Sequence, residues 1–166
     1  MLYLLDANVL IDADRDYYPL DDVPEFWEWV IYRGQQNHMK MCAEVYDEIT
    51  KGTGKLVTWL KQKDAKNALL LIEDSNPATV NRVVVEGYAP DLTDIEIEKL
   101  GCDPFLIAHA LKDSMNRFVV SAETSAPSRT RHNRKVPDVC ADFKIRCRTK
   151  FELTKDLQFS TNWKRT

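Results

Sequence analysis

The chain has 166 residues, which suits one domain with a hydrophobic core that needs no disulfide. Apolar residues make up 44% and charged residues 30%, which excludes a disordered or fibrous chain, and no run approaches the roughly 18 apolar residues of a membrane span. The net charge of −3 argues mildly against a polyanion partner on global charge alone, so the distribution of charge matters more than its total.

In chain order, Leu2-Tyr3-Leu4-Leu5 is a short apolar run ending at Asp6, the pattern of a buried parallel strand. The same N-terminus has neither the basic region nor the cleavage site of a signal peptide, so a cytoplasmic protein is expected. Residues 7–14 read as a short helix. Pro24 at a first-turn position opens a helix to about residue 37, with Phe26, Trp27, Val30 and Ile31 at core spacing. A brief strand is expected over residues 39–42, then a helix over residues 43–50 broken by Gly52 and Gly54, and another marked by Leu56, Val57 and Leu60. Residues 69–72 fit a strand or a buried helix equally well. Asn76-Pro77 is an N-cap and N1 pair for a helix toward Gly87. Residues 93–100 and 103–114 read as two helices separated by Gly101, and residues 118–121 as a strand. A loop rich in Ser, Thr and Arg follows, then a helix at 137–143, a strand at 145–148 and a helix at 151–157.

No repeat or long linker divides the chain, so a single domain over residues 1–166 is expected. Alternating strands and helices predict an α/β sandwich with a mostly parallel sheet, whose reactive edge lies beyond the carboxyl ends of the strands. Asp6 and Glu123 fall at that edge.

Four acids stand out by position. Asp6 closes the first strand, and a simple helix cap explains it as well. Glu48 lies at the border of the apolar face of its helix, half inward beside Val45 and Ile49. Asp103 precedes Pro104 and opens an apolar helix, where a structural N-cap is the plainer explanation. Glu123 follows the strand as Val119-Val120-Ser121-Ala122-Glu123. His109 is turned away from Asp103 and is not read as a ligand. Cys42, Cys102, Cys140 and Cys147 form no C-x2-C pair, so four reduced thiols are expected rather than a zinc site. Asp12, Asp14, Asp21 and Asp22 read as surface charge, and Phe26, Trp27 and Trp29 as core.

Taken together, these segments resemble the PIN-domain nucleases. The resemblance rests on Leu4-Leu5-Asp6-Ala7-Asn8-Val9-Leu10-Ile11, Val45-Tyr46-Asp47-Glu48-Ile49, Asp103-Pro104-Phe105-Leu106-Ile107-Ala108-His109-Ala110 and Val119-Val120-Ser121-Ala122-Glu123, and it covers about residues 1–143. It is finer still with a small PIN branch described as a domain of unknown function, marked by Tyr17-Tyr18-Pro19, Phe26-Trp27 and Lys135-Val136-Pro137-Asp138-Val139-Cys140. The chain departs from the family in having Glu123 where Asp is usual and Ser121 where Thr is commoner.

This resemblance implies a PIN-like α/β/α sandwich and a metal-dependent endoribonuclease leaving 5′-phosphate and 3′-hydroxyl ends. It further implies the toxin of a type II toxin–antitoxin pair of the VapC type, with RNA as substrate and an antitoxin protein as partner, and it admits a homodimer. Asp6, Glu48, Asp103 and Glu123 would be catalytic and hold Mg²⁺ or Mn²⁺, hard cations that suit carboxylate oxygens. Asn8 and Ser121 would support those ligands. Independently of the resemblance, Arg129, Arg131, Arg134 and Lys135 lie in an acid-free stretch beside Glu123 and are read as RNA contacts, with a merely solvated loop as the alternative. Two other readings stay open. A PIN fold can serve as an RNA- or protein-binding module, although such a chain would be expected to lose some of its acids. A haloacid-dehalogenase-like phosphatase also opens with a strand ending in Asp, but Asn8 stands where its acid would be and cannot donate a proton.

Overall fold

The computed structural model describes residues 1–165. Four strands, β1 (Leu2–Leu5), β2 (Met39–Lys40), β3 (Arg117–Val120) and β4 (Arg146–Arg148), form one sheet in the order β2-β1-β3-β4, parallel throughout. Parallel neighbours require long crossovers, and helices supply them. They are α1 (Ala7–Asp12), α2 (Pro24–Gln35), α3 (Ala43–Thr50), α4 (Lys55–Leu60), α5 (Lys63–Leu69), α6 (Pro77–Arg82), α7 (Asp94–Leu100), α8 (Asp103–Leu111), α9 (Val136–Asp142) and α10 (Lys150–Asp156). Helices flank the sheet, consistent with the expected PIN-like α/β/α sandwich.

The register matters most for function. Leu2, Tyr3, Leu4 and Leu5 pair with Arg117, Phe118, Val119 and Val120. Both strands therefore leave the sheet at the same level, Asp6 after β1 and Ser121 after β3, and the Asp6 amide still donates to Val120 O at 2.9 Å. Leu4, Leu5, Val119 and Val120 are fully buried, which explains their unbroken apolar run.

Several expected elements shift by a few residues. Helix α1 continues into a π-helical turn over Ala13–Tyr17, and α6 into another over Val83–Tyr88. Helix α8 stops at Leu111 rather than near Ser114. The stretch at 69–72 forms neither a strand nor a helix of its own: Leu69 is the last residue of α5, which the apolar pattern did not reveal, and Leu70 then makes a single bridge to Met41. That bridge continues the β2 edge, with Met41 N donating to Leu69 O at 2.7 Å and Leu71 N to Met41 O at 2.8 Å. The Asn76 side chain caps α6 as expected, accepting from the amides of Ala78 and Thr79.

One hydrophobic core gathers residues from Tyr3 to Leu157. Phe26, Trp27 and Trp29 belong to it. Tyr18 stacks on Phe26 at 4.2 Å between ring centroids, and its carbonyl accepts from Trp27 Nε1 at 2.7 Å. Those aromatic marks thus hold α2 in place. Where α2 meets α5, Gly34 lies so close to Ala68 that a Cβ on it would stand 2.7 Å from the Ala68 carbonyl oxygen. Backbone cannot yield as a flexible side chain does. Gly34→Ala should therefore destabilise the fold by roughly 1–3 kcal/mol, read as a lower denaturant midpoint at unchanged slope.

Candidate functional site

Asp6 takes the N-cap position of α1, but its side chain makes no well-formed capping bond and only lies near the amides of Ala7 and Asn8. Instead it is buried and accepts from the Ser121 hydroxyl, Oγ to Oδ2 at 3.2 Å. The same hydroxyl oxygen accepts from the Glu123 amide at 3.1 Å. Ser121 thus ties the two strand ends together. Burial pushes the Asp6 carboxyl up to about 6, because Ser121 and the amides of Ala7 and Asn8 offset only part of the desolvation, and Glu123 adds repulsion.

Asp103 lies in the first turn of α8 behind Cys102, with no capping bond from the Cys102 side chain. Its carboxyl is pushed further, to about 8, by burial and then by the charges of Asp6, Glu123 and Glu48, with Lys135 opposing weakly. Glu48 is more exposed than its half-inward sequence position suggested. Asp6, Asn8, Glu48 and Asp103 line one cavity of about 610 Å³. Asp103 and Glu123 line a second, of about 450 Å³, so the Asp103 wall is common to both.

Glu123 is the acid most firmly held by the protein itself. Lys135 Nζ donates to its Oε1 at 2.6 Å and the Val136 amide to its Oε2 at 2.8 Å. Asp138 then accepts from the Ala126 amide at 2.8 Å and from the Ser125 hydroxyl. The Lys135–Asp138 stretch is therefore a brace for the loop that carries Glu123.

The expected RNA-contact residues are largely occupied within the chain. Arg131 forks onto Glu96, with Nε and Nη2 each at 2.8 Å, and reaches Asp91 at 2.7 Å. Arg134 pairs with Asp142 at 2.7 Å, and Lys135 with Glu123. Among the described residues, the exposed Arg129 side chain makes no ion pair, and it lines the second cavity. Lys99, missed from the sequence, is exposed and lines both cavities. Arg15 and Lys55 line the first. Tyr88 was also missed. Its buried hydroxyl has no partner among the described residues, and burial together with the charges of Asp103 and Glu123 raises its pKa, so it remains a neutral donor beside the acids.

A further group lies elsewhere. Cys42, Glu44 and His109 offer donor atoms within 4.8 Å of one another and can hold a metal ion. Among the described residues, no three of the four strand-edge acids gather so closely. All four cysteines are free, Cys42 and Cys140 buried and Cys102 and Cys147 half-buried. No described helix is long and apolar enough to cross a membrane.

The chain belongs to the family described as Domain of unknown function (DUF4411), whose model matches residues 3–161. Comparison with curated proteins and with solved structures found no match.

The raised carboxyls have a measurable consequence in chelator-treated protein. Between about pH 4 and pH 8 the folded chain holds protons on Asp103 and Asp6 that the unfolded chain releases, so stability should fall as pH rises through that window. Asp103→Asn should flatten the slope and stabilise the protein at pH 8 by on the order of 2 kcal/mol. Urea unfolding at several pH values reads both effects, and an unchanged slope would count against the electrostatic coupling.

Proposed function

We propose that this protein is a metal-dependent endoribonuclease of the PIN kind. The observation that carries the reading is the meeting of buried Asp6 and half-buried Asp103 on a cavity wall shared with Glu48, where desolvation of both carboxyls, with repulsion from Glu123 on both and from Asp6 on Asp103, shifts both toward their protonated forms. Lys135, the one cation acting on Asp103 among its main perturbing charges, is already paired with Glu123. In donor chemistry, though not yet in spacing, such a set suits a hard divalent cation, Mg²⁺ or Mn²⁺, whose charge would draw the carboxylates together and stabilise their ionised forms.

When bound, the ion would supply Lewis-acid activation of water and of a phosphate oxygen. The protein's own contributions are distinct. Asp6, Asp103 and Glu48 would bind it. Ser121 fixes the orientation of Asp6, and Lys135 with the Val136 amide holds Glu123 at the adjoining cavity. Lys99 and Arg129, which line the second cavity, would meet a phosphate backbone there, while Arg131 and Arg134 brace the loop. The toxin role, a protein antitoxin and a homodimer rest on the resemblance alone. Growth arrest on expression, relieved by a neighbouring open reading frame, tests the first two.

Chelation should abolish cleavage of a single-stranded RNA and Mg²⁺ or Mn²⁺ should restore it. Asp6→Asn and Asp103→Asn should each lower the rate on the order of 100-fold or more with the fold retained by circular dichroism. Undiminished cleavage by pure Asp6→Asn protein would place the chemistry elsewhere. In RNA binding, neutralising Lys99 and Arg129 should each reduce the salt slope of log K by about 0.7. Arg131→Ala should instead lower the melting temperature, since Glu96 and Asp91 lose their partner.

A further inference from the structure

Two of the buried side-chain atoms without a hydrogen-bond partner face each other. Glu44 Oε2 and His109 Nε2 lie 3.7 Å apart, beyond hydrogen-bond reach, and Cys42 Sγ completes the group within 4.8 Å. His109 and Cys42 are fully buried, whereas a quarter of the Glu44 side chain remains exposed.

The other side of the imidazole decides its proton. His109 Nδ1 is 3.0 Å from Glu73 Oε1. Glu73 is kept ionised by a fork from Arg117, both contacts at 2.8 Å, and by Lys112 at 3.0 Å, which together with His109 hold its pKa well below the carboxylate range. An ionised carboxylate only accepts, so Nδ1 carries the hydrogen, and in the neutral imidazole Nε2 is then the nitrogen whose lone pair a metal can take. That lone pair then faces a carboxylate oxygen and a sulfur. Three potential ligand atoms, one each of sulfur, nitrogen and oxygen, thus converge at one point.

We propose that Cys42, Glu44 and His109 bind a zinc ion, with Glu73 orienting the His109 ring. Thiolate, imidazole and carboxylate are all zinc ligands, and three protein ligands leave one tetrahedral position open on the exposed Glu44 side. A carboxylate behind a ligating imidazole is the usual means of fixing its tautomer. Sulfur disfavours Mg²⁺ and Mn²⁺, so this site and the strand-edge acids would take different metals. On binding, the Cys42 proton leaves and the sulfur–metal bond forms, with no change of oxidation state.

The location gives the ion a role. Cys42 precedes α3, Glu44 is in its first turn, and His109 belongs to α8. The ion would clamp the helix carrying Glu48 to the helix that begins with Asp103, next to the existing contact from Cys102 Sγ to Glu44 O at 3.2 Å. The inference does not depend on nuclease activity.

The test uses full-length protein stripped with chelator and titrated with Zn²⁺, or with Co²⁺ as a spectroscopic substitute. The expected result is one ion per chain, a thiolate-to-cobalt charge-transfer band with tetrahedral d–d absorption, displacement by zinc and a higher melting temperature. Cys42→Ser should remove the band. Glu44→Gln, at a partly exposed position, should keep the fold and weaken zinc binding at least 10-fold. Asp103→Asn should leave the band and the stoichiometry unchanged, which separates this site from the strand-edge acids. The proposal is overturned if no charge-transfer band forms, if the band survives Cys42→Ser, or if zinc affinity is indifferent to Glu44→Gln. Should Cys42→Ser fail to fold, Glu44→Gln decides alone.

Discussion

The in-register pairing of β1 with β3 is the constraint on which the rest depends. Because Leu5 faces Val120, the chain must leave the sheet as Asp6 on one strand and Ser121 on the next. A carboxylate in that position is buried whether or not burial suits it. The Ser121 hydroxyl and the nearby amides of Ala7 and Asn8 replace only part of its lost hydration, and Asp103 is brought into the same field from α8. The fold sustains this cost because a continuous core, from Tyr3 to Leu157, lies beneath it. Local electrostatic conflict supported by good packing elsewhere is the pattern expected at a functional site.

Around that conflict the protein spends most of its nearby cations on itself. Lys135 neutralises Glu123, and Arg131 with His132 converges on Glu96 of α7. These bonds fix the loop after β3 against α7 and α9. They also limit how many positive groups are free for a phosphate chain, which shifts attention to Lys99 and Arg129 at the second cavity. A loop that reads as a basic patch in one dimension is, in three, mostly a set of internal tethers.

The acid edge and the Cys42–Glu44–His109 group share the same two helices but differ in donor chemistry. Oxygen donors at the strand ends suit a hard cation, and the sulfur and nitrogen of the second group suit a softer one. Glu44 and Glu48 are one turn apart on α3, so that helix contributes to both. Anything that shifts α3 against α8 would therefore be felt at both groups.

The strand ends and their acids were legible in the sequence because they are encoded locally. A buried strand reads as an apolar run, and the residue that ends it is named by position alone. Alternation of such runs with helical segments made the α/β class with a mostly parallel sheet legible too, whereas the strand order and register came only with the tertiary structure. Local patterns failed at α5, whose Ala-rich turns carry no strong apolar period, and at 69–72, where one bridge to Met41 decides the conformation. They could not show whether Asp103 caps its helix or faces the other acids, because both choices use the same residue at the same place. Only tertiary structure settled which charges pair, since Arg131 finds Glu96 and Lys135 finds Glu123 across loops whose path no spacing rule specifies. The same reason hid the Cys42–Glu44–His109 group. Cysteine spacing reveals a metal site when its ligands are neighbours along the chain, and here Cys42 meets His109 only because α8 packs beside the start of α3.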